Sequence, residues 1–235
     1  AVREHLNDAI NFYRADSGLA IVMQIHNGQI LSSVSLPDYN PQNNSSFNQN
    51  NLINRVFQSN YEMGSTFKPI TATMGFDFGI INSETKFDVT RKFLNIGDYH
   101  KFKGDGIYDI EKIIVESSNI GTAQMATLIG KKNQKEFFNK IGFNDRIILE
   151  NKESAIPLGN KNNWGKVETA TIGYGHGFSV TPLHLVKAYA TLSNKGIEVF
   201  PTLKLNKKNA KKIVLKNEKS SDFFLNLLKS VVLKT

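Results

Sequence analysis

Tyr61-Glu62-Met63-Gly64-Ser65-Thr66-Phe67-Lys68-Pro69 is the stretch on which the reading of this chain turns. A helical pattern begins at Ser65. Phe67, Ile70 and Met74 fall on one side of it, and Pro69 falls within its first turn, where a missing N–H costs little. Ser65 and Lys68 are then three residues apart at a helix start, and residues i and i+3 share a helix face. A serine hydroxyl is a poor nucleophile unless a neighbouring base takes its proton, and a desolvated lysine can do so. Burial and nearby cations lower a lysine pKa and bring the neutral amine within reach. The helix N-terminus adds partial positive charge and free N–H groups, which suit an oxyanion built on the Ser65 amide. Ser-x-x-Lys alone is common, and elsewhere it is a serine cap beside a surface lysine.

Three features reverse that bland reading: the flanks of the motif, with Tyr61-Glu62-Met63-Gly64 before Ser65 and Pro69 after Lys68, and two features further along the chain. Ile110–Glu116 reads as a helix capped by Asp109, and Asn119–Ile129 reads as a second, ended by Gly130. Ser117-Ser118-Asn119 lies at their junction, a corner that can point Ser117 and Asn119 into a cleft. From there Ser117 can relay a proton to a leaving amine and Asn119 can hold a substrate amide. Gly173-Tyr174-Gly175-His176-Gly177 then runs into Val180-Thr181-Pro182-Leu183, a Gly-rich turn leading to a capped helix over 182–193. A helix over Gln134–Ile141 and an amphipathic helix over Ser221–Val232 complete the body. Towards the N-terminus, 3–14 reads as an amphipathic helix. Leu19–Ile25 and Gln29–Val34 flank His26-Asn27-Gly28, a strong hairpin signal. Residues 36–51 read as a loop, and 84–108 show no regular pattern.

The 235 residues allow one large domain or two small ones, and 40% hydrophobic composition excludes a disordered chain. No apolar run is long enough for a membrane span, and no signal peptide is visible. Without cysteine, thiol catalysis, disulfides and thiolate metal sites are excluded. The net charge of +8 gathers late, at Lys204, Lys207, Lys208, Lys211, Lys212, Lys216 and Lys219. It reads as a solvated surface before it reads as a patch for an anionic polymer, and no nucleic-acid motif accompanies it.

YEMGSTFKP, ESSNIGTAQMA and GYGHGFSVTPLHL together resemble the transpeptidase domain of class B penicillin-binding proteins, over nearly the whole chain. RVFQSNYEMGSTFK with SSNIGTAQMA is most similar to the division-specific septal type of alphaproteobacteria, with the elongation-specific type second. The resemblance implies an α+β fold, a helical subdomain plus antiparallel sheet, with 1–235 as a partial transpeptidase domain. It implies that Ser65 attacks the penultimate D-Ala carbonyl of a peptidoglycan stem peptide. Lys68 takes the Ser65 proton, and the terminal D-Ala leaves protonated through Ser117 and Lys68. An amine of a neighbouring stem then forms the cross-link. Asn119 binds substrate, Tyr61, Gly175 and His176 are candidates for the cleft lining, and no metal or organic cofactor is needed. The implied partners are stem peptides, β-lactams and divisome membrane proteins, at the periplasmic face of a bacterial inner membrane with the anchor outside this chain. The family's Lys-Thr-Gly motif is absent. Lys234-Thr235 directly follows the final helix and reads as a decoy, so the chain is expected to stop short of that strand and its sheet neighbours.

The remaining residues read as structural. His176 is expected to shape the Gly-rich turn rather than act as a base. Glu62 is expected on the surface, Trp164 in packing, and Asp105 and Asp109 in a loop and a cap. Thr66 and Ser118 are expected to face away from the chemistry, and His5, His26, His100 and His184 lack metal-ligand spacing. A carboxypeptidase or β-lactamase on the same scaffold and a non-catalytic β-lactam sensor remain as alternatives. The β-lactamase needs a deacylating carboxylate for which the sequence offers no clear position.

Overall fold

The computed structural model describes residues 1–43, 48–150, 154–159, 164–205 and 212–234. α1 (Val2–Tyr13) leads into a hairpin of β1 (Gly18–Met23) and β2 (Ile30–Leu36). The turn is wider than the Asn-Gly signal implies. Gln24 accepts from and donates to the far side of a loop in which Gly28 alone takes positive φ, at 71°, while Asn27 Oδ1 accepts from the Gln29 amide. Two single-turn helices follow, α2 (Gln49–Leu52) and α3 (Arg55–Gln58), then the short β3 (Tyr61–Glu62).

The helical pattern at Ser65 divides in two. Gly64–Phe67 form a 3-10 turn, and α4 (Lys68–Asp77) starts only at Lys68. In a 3-10 turn residues i and i+3 eclipse, which aligns Ser65 and Lys68 more closely than an α-helix would. Phe67, Ile70 and Met74 are all fully buried, as their spacing predicts. Phe67 packs against Phe138 and Phe143, with ring centroids 6.0 and 5.5 Å away, and this aromatic knot extends to Phe178 and Trp164.

The irregular stretch 84–108 holds a two-stranded ladder, β4 (Lys86–Asp88) with β5 (Ile107–Asp109), too short to show a period. α5 (Ile110–Val115) is capped by Asp109, whose carboxylate accepts from the Lys112 amide, and Asp105 accepts from the Ile107 amide in the loop before it. α6 (Asn119–Ile141) runs through the expected break. Gly130 has φ 80° and ψ 156°, so the two predicted helices form one kinked unit. β6 (Leu158–Gly159), α7 (Lys166–Ile172), β7 (Phe178–Val180), α8 (Pro182–Ser193) and α9 (Ser220–Lys234) follow. Thr181 caps α8, accepting from the His184 amide. β7 is the middle strand of a small antiparallel sheet, with β3 on one side and β6 on the other.

The chain is thus α+β, with the helices α4, α5, α6, α8 and α9 around the main core and three small sheets at its edges. Lys234 lies in α9 and pairs with Glu111, so it belongs to a helix face and not to a strand. Thr235, Lys207, Lys208 and Lys211 lie outside the described residues. Of the other late lysines, Lys212 pairs with Glu198 and Lys216 with Glu136.

α9 is fastened to the back of α4 by one buried carboxylate. Asp77 Oδ1 accepts from the amides of Lys216 and Asn217 at 2.8 and 2.9 Å and from Ser220 Oγ at 3.0 Å. Asp77→Ala leaves these donors without their acceptor and is expected to lower unfolding free energy by about 2–4 kcal/mol. Urea titration measures it, and a loss below about 0.5 kcal/mol, the range of an ordinary surface change, would contradict the assignment.

Candidate active site

Lys68 is the first residue of α4, and burial of Phe67 and Ile70 on the same turn draws its side chain inwards until it is only 1% exposed. A buried ammonium needs partners, and Ser117 supplies them. Lys68 Nζ donates to the Ser117 carbonyl oxygen and, at 2.9 Å, to Ser117 Oγ. Ser117 Oγ lies 3.0 Å from Ser65 Oγ. The three groups form a hydrogen-bonded chain, Lys68 to Ser117 to Ser65. Among the described hydrogen bonds Lys68 makes none directly to Ser65, and the hydrogen-bonded link between the two side chains runs through Ser117 Oγ. This link adds Ser117 to the shared helix face read from the sequence. Its cause is the backbone between α5 and α6, which places Ser117 over the Lys68 amine.

Ser117 occupies this place in a conformation that L-residues avoid. Its φ is 52°, left-handed, and such positions persist where surrounding bonds over-determine them. Here they come from both sides. Lys68 grips its carbonyl and hydroxyl, and Asp98 holds the next residues. Asp98 Oδ2 accepts from Ser118 Oγ at 2.7 Å and Oδ1 from the Ile120 amide at 2.9 Å. Ser118 Oγ in turn accepts from the Gly121 amide at 3.0 Å, capping α6. Ser118 lines the same pocket as Ser65, contrary to the expectation that it faces away, but its hydroxyl is taken up by Asp98 and the helix cap; the Thr66 hydroxyl donates to Met63 O.

The electrostatics follow from burial. Loss of solvent pushes the Lys68 pKa down from 10.5 to about 8, while the nearby Asp98 charge acts in the opposite direction. An amine with that pKa is neutral in an appreciable fraction of molecules near neutrality, as a base for Ser65 must be. Donor–acceptor separations of 2.9 and 3.0 Å are within reach of proton transfer at each link.

A pocket of about 260 Å³ opens on this chain and contains Ser65, Ser117 and Asn119 together, with Asp98, Glu116 and Tyr99–Phe102 among its walls. The other three candidate positions lie elsewhere. Tyr61 lines a separate apolar pocket of about 620 Å³ between β1 and α8, along with Met63, Thr66 and Tyr189. Gly175 meets the backbone just before the nucleophile: a Cβ there would stand 2.2 Å from Gly64 O. His176 pairs through Nδ1 with Glu62 Oε2 at 2.8 Å, which places Glu62 in a specific contact beyond the surface role expected of it. Trp164 is buried against Phe138, as expected of a packing residue. Asp98 and the Tyr99–Phe102 wall had no sequence signal, because they come from the stretch without periodicity.

Comparison with known proteins gives consistent matches. The family model described as the penicillin binding protein transpeptidase domain matches residues 18–235. The chain is 32% identical over 200 residues to the probable peptidoglycan D,D-transpeptidase FtsI of Caulobacter vibrioides, covering 83% of this chain and 33% of that protein. It is 27% identical over 202 residues to the peptidoglycan D,D-transpeptidase FtsI of Escherichia coli (strain K12), covering 83% and 34%. The chain thus spans about a third of the length of these curated relatives. Among solved structures, the apo TP domain of penicillin-binding protein 3 from Burkholderia pseudomallei superposes with a TM-score of 0.83 at 24% identity, covering 97% of this chain and 66% of that one. A peptidoglycan glycosyltransferase from Burkholderia ambifaria gives 0.83 at 22%, covering 98% and 70%. At these identities the structures speak for the fold.

With Lys68 as the base, acylation of Ser65 by an activated acyl donor is expected to rise with pH through a midpoint near 8. Asp98→Asn removes the charge that favours the ammonium, so its midpoint moves to lower pH. A pH–rate series on both proteins measures this; a rate independent of pH across that window would remove Lys68 from the base role.

Proposed function

Because the chain belongs to the penicillin-binding protein transpeptidase family, we propose that it carries serine acyl transfer on peptidoglycan stem peptides, in the cross-linking step of septal wall synthesis. The observation that carries the proposal is the Lys68–Ser117–Ser65 hydrogen-bond chain on a buried amine. Ser65 Oγ attacks the carbonyl carbon of the penultimate D-Ala. Its proton passes to Ser117 Oγ as Ser117 releases its own to Lys68. The tetrahedral intermediate collapses with cleavage of the peptide bond, and the proton returns by the same path to the leaving nitrogen of the terminal D-Ala. An amine of a second stem attacks the acyl-enzyme, loses its proton to the same relay and regenerates Ser65. Asn119, in the same pocket, is assigned to the substrate amide.

Two carboxylates wall the pocket, and each is already engaged. Asp98 is held by Ser118 and Ile120, and Glu116 pairs with Lys103 at 2.8 Å. Both are committed to other partners in this arrangement, which weighs against a β-lactamase. The family match over residues 18–235 supports reading the chain as transpeptidase domain throughout. We assign β-lactams as pseudosubstrates of Ser65, divisome membrane proteins as partners and the periplasmic face of a bacterial inner membrane as the site of action. No described helix is long and apolar enough to cross a membrane.

The test is mass spectrometry of the full-length protein with a labelled penicillin. A stable adduct at Ser65 is expected, lost in Ser65→Ala and formed at least about a hundredfold more slowly in Lys68→Ala. Rapid turnover of the adduct would favour a β-lactamase instead, and absence of an adduct in the native protein would sink acyl transfer altogether.

A further inference from the structure

The turn that carries Ser65 is anchored unevenly. On its C-terminal side Phe67 and Lys68 are fully buried, and Tyr189 Oη donates to Thr66 O at 2.7 Å. On its N-terminal side Tyr61 and Glu62 are exposed, and a Cβ placed on Gly64 would meet nothing within 4 Å. Met63, half-buried, packs against the main core, and Thr66 Oγ1 donates to its carbonyl oxygen at 2.7 Å. The remaining hold on this side comes from β7 and the Gly-rich turn before it. β3 pairs with β7 over only two residues, Tyr61 opposite Val180 and Glu62 opposite Ser179. Gly64 N donates to Gly175 O at 3.3 Å, a long bond.

Glu62 adds what this ladder lacks. Its Oε1 accepts from the Gly177 amide at 2.8 Å and its Oε2 meets His176 Nδ1 at 2.8 Å. His176 is itself set edge-on against the Tyr174 ring, with centroids 5.3 Å apart. One carboxylate three residues before the nucleophile thus grips two successive residues of the turn on which the Gly64 backbone rests. Gly175, at φ 86°, lets the two backbones approach this closely.

Resting on the acyl-transfer reading above, we infer that Glu62 is a positioning residue for Ser65, acting through His176 and Gly177 to fix the register of the Gly64–Ser65 turn. The hydrogen bond from His176, and then the Gly177 amide, hold the Glu62 carboxyl below the usual carboxylate range, so the grip is anionic at neutral pH. Both side chains of the pair are about half exposed, and such pairs contribute little to folding. The clamp therefore acts on geometry rather than on global stability. Small misplacement of a reacting atom is enough to slow chemistry by orders of magnitude.

The experiment uses the full-length protein and a labelled penicillin, resolving the acylation rate constant from the binding constant by saturation, with thermal melting alongside. Glu62→Ala is expected to lower the acylation rate constant by roughly tenfold or more, with binding and melting close to the native protein. Glu62→Gln is expected to restore most of the rate, because the amide keeps an acceptor for Gly177 and can donate to the other His176 tautomer. His176→Ala is expected to lose part of the rate, and Glu62→Ala/His176→Ala to lose no more than Glu62→Ala alone. Native acylation rates in Glu62→Ala, or additive losses in the double variant, would overturn the inference. If Glu62→Ala does not fold, His176→Ala decides, and an unchanged rate there overturns it equally. Failure of the native protein to form an adduct would instead sink the acyl-transfer reading on which the inference rests.

Discussion

The structure depends on one buried amine. Taking the Lys68 ammonium out of water is expensive, and the interior compensates by giving it the Ser117 carbonyl and hydroxyl. That requirement ties α4 to the corner between α5 and α6 and, together with the Asp98 contacts on the next residues, holds Ser117 in a left-handed conformation with its hydroxyl at Ser65. The compensation is incomplete, because the partners are neutral. The amine is consequently left with a proton affinity well below that of a free lysine.

The rest of the molecule braces this arrangement from several directions. The knot of Phe67, Phe138, Phe143 and Phe178 locks the turn beside the nucleophile into the core, where close packing leaves little room for a shift. Asp98 pins the far side of the Ser117 corner, and Asp77 secures α9 against α4. Each is a carboxylate meeting backbone amides that would otherwise go unpaired. These charges organise loops and helix ends, where regular secondary structure cannot supply the acceptors.

Much of this was legible in the chain. The hairpin, the break at Gly130, the Asp109 and Thr181 caps and the buried face of Phe67, Ile70 and Met74 all follow from local rules, and the structure has them. The short strands were not legible. β3, β6 and β7 have two or three residues each, too few to show alternation, and they exist only because partners distant in sequence pair with them. The same holds for Asp98 and Glu62. Asp98 lies in a stretch without pattern, and the partner that gives Glu62 its place, His176, is 114 positions away.

By itself the sequence determined the chemical inventory: a serine and a lysine three residues apart on one helix face, a Ser-x-Asn corner between two helices, a glycine turn before a capped helix, and no cysteine. Those are properties of residue type and short spacing, where local sterics and capping decide the outcome. Only the tertiary structure decided that Lys68 reaches Ser65 through Ser117, that Asp98 sits beside the amine, and that Glu62 closes on His176 and Gly177. Proton affinity and proton path depend on burial and on distances of about 3 Å between residues tens of positions apart, and these are fixed when the core packs.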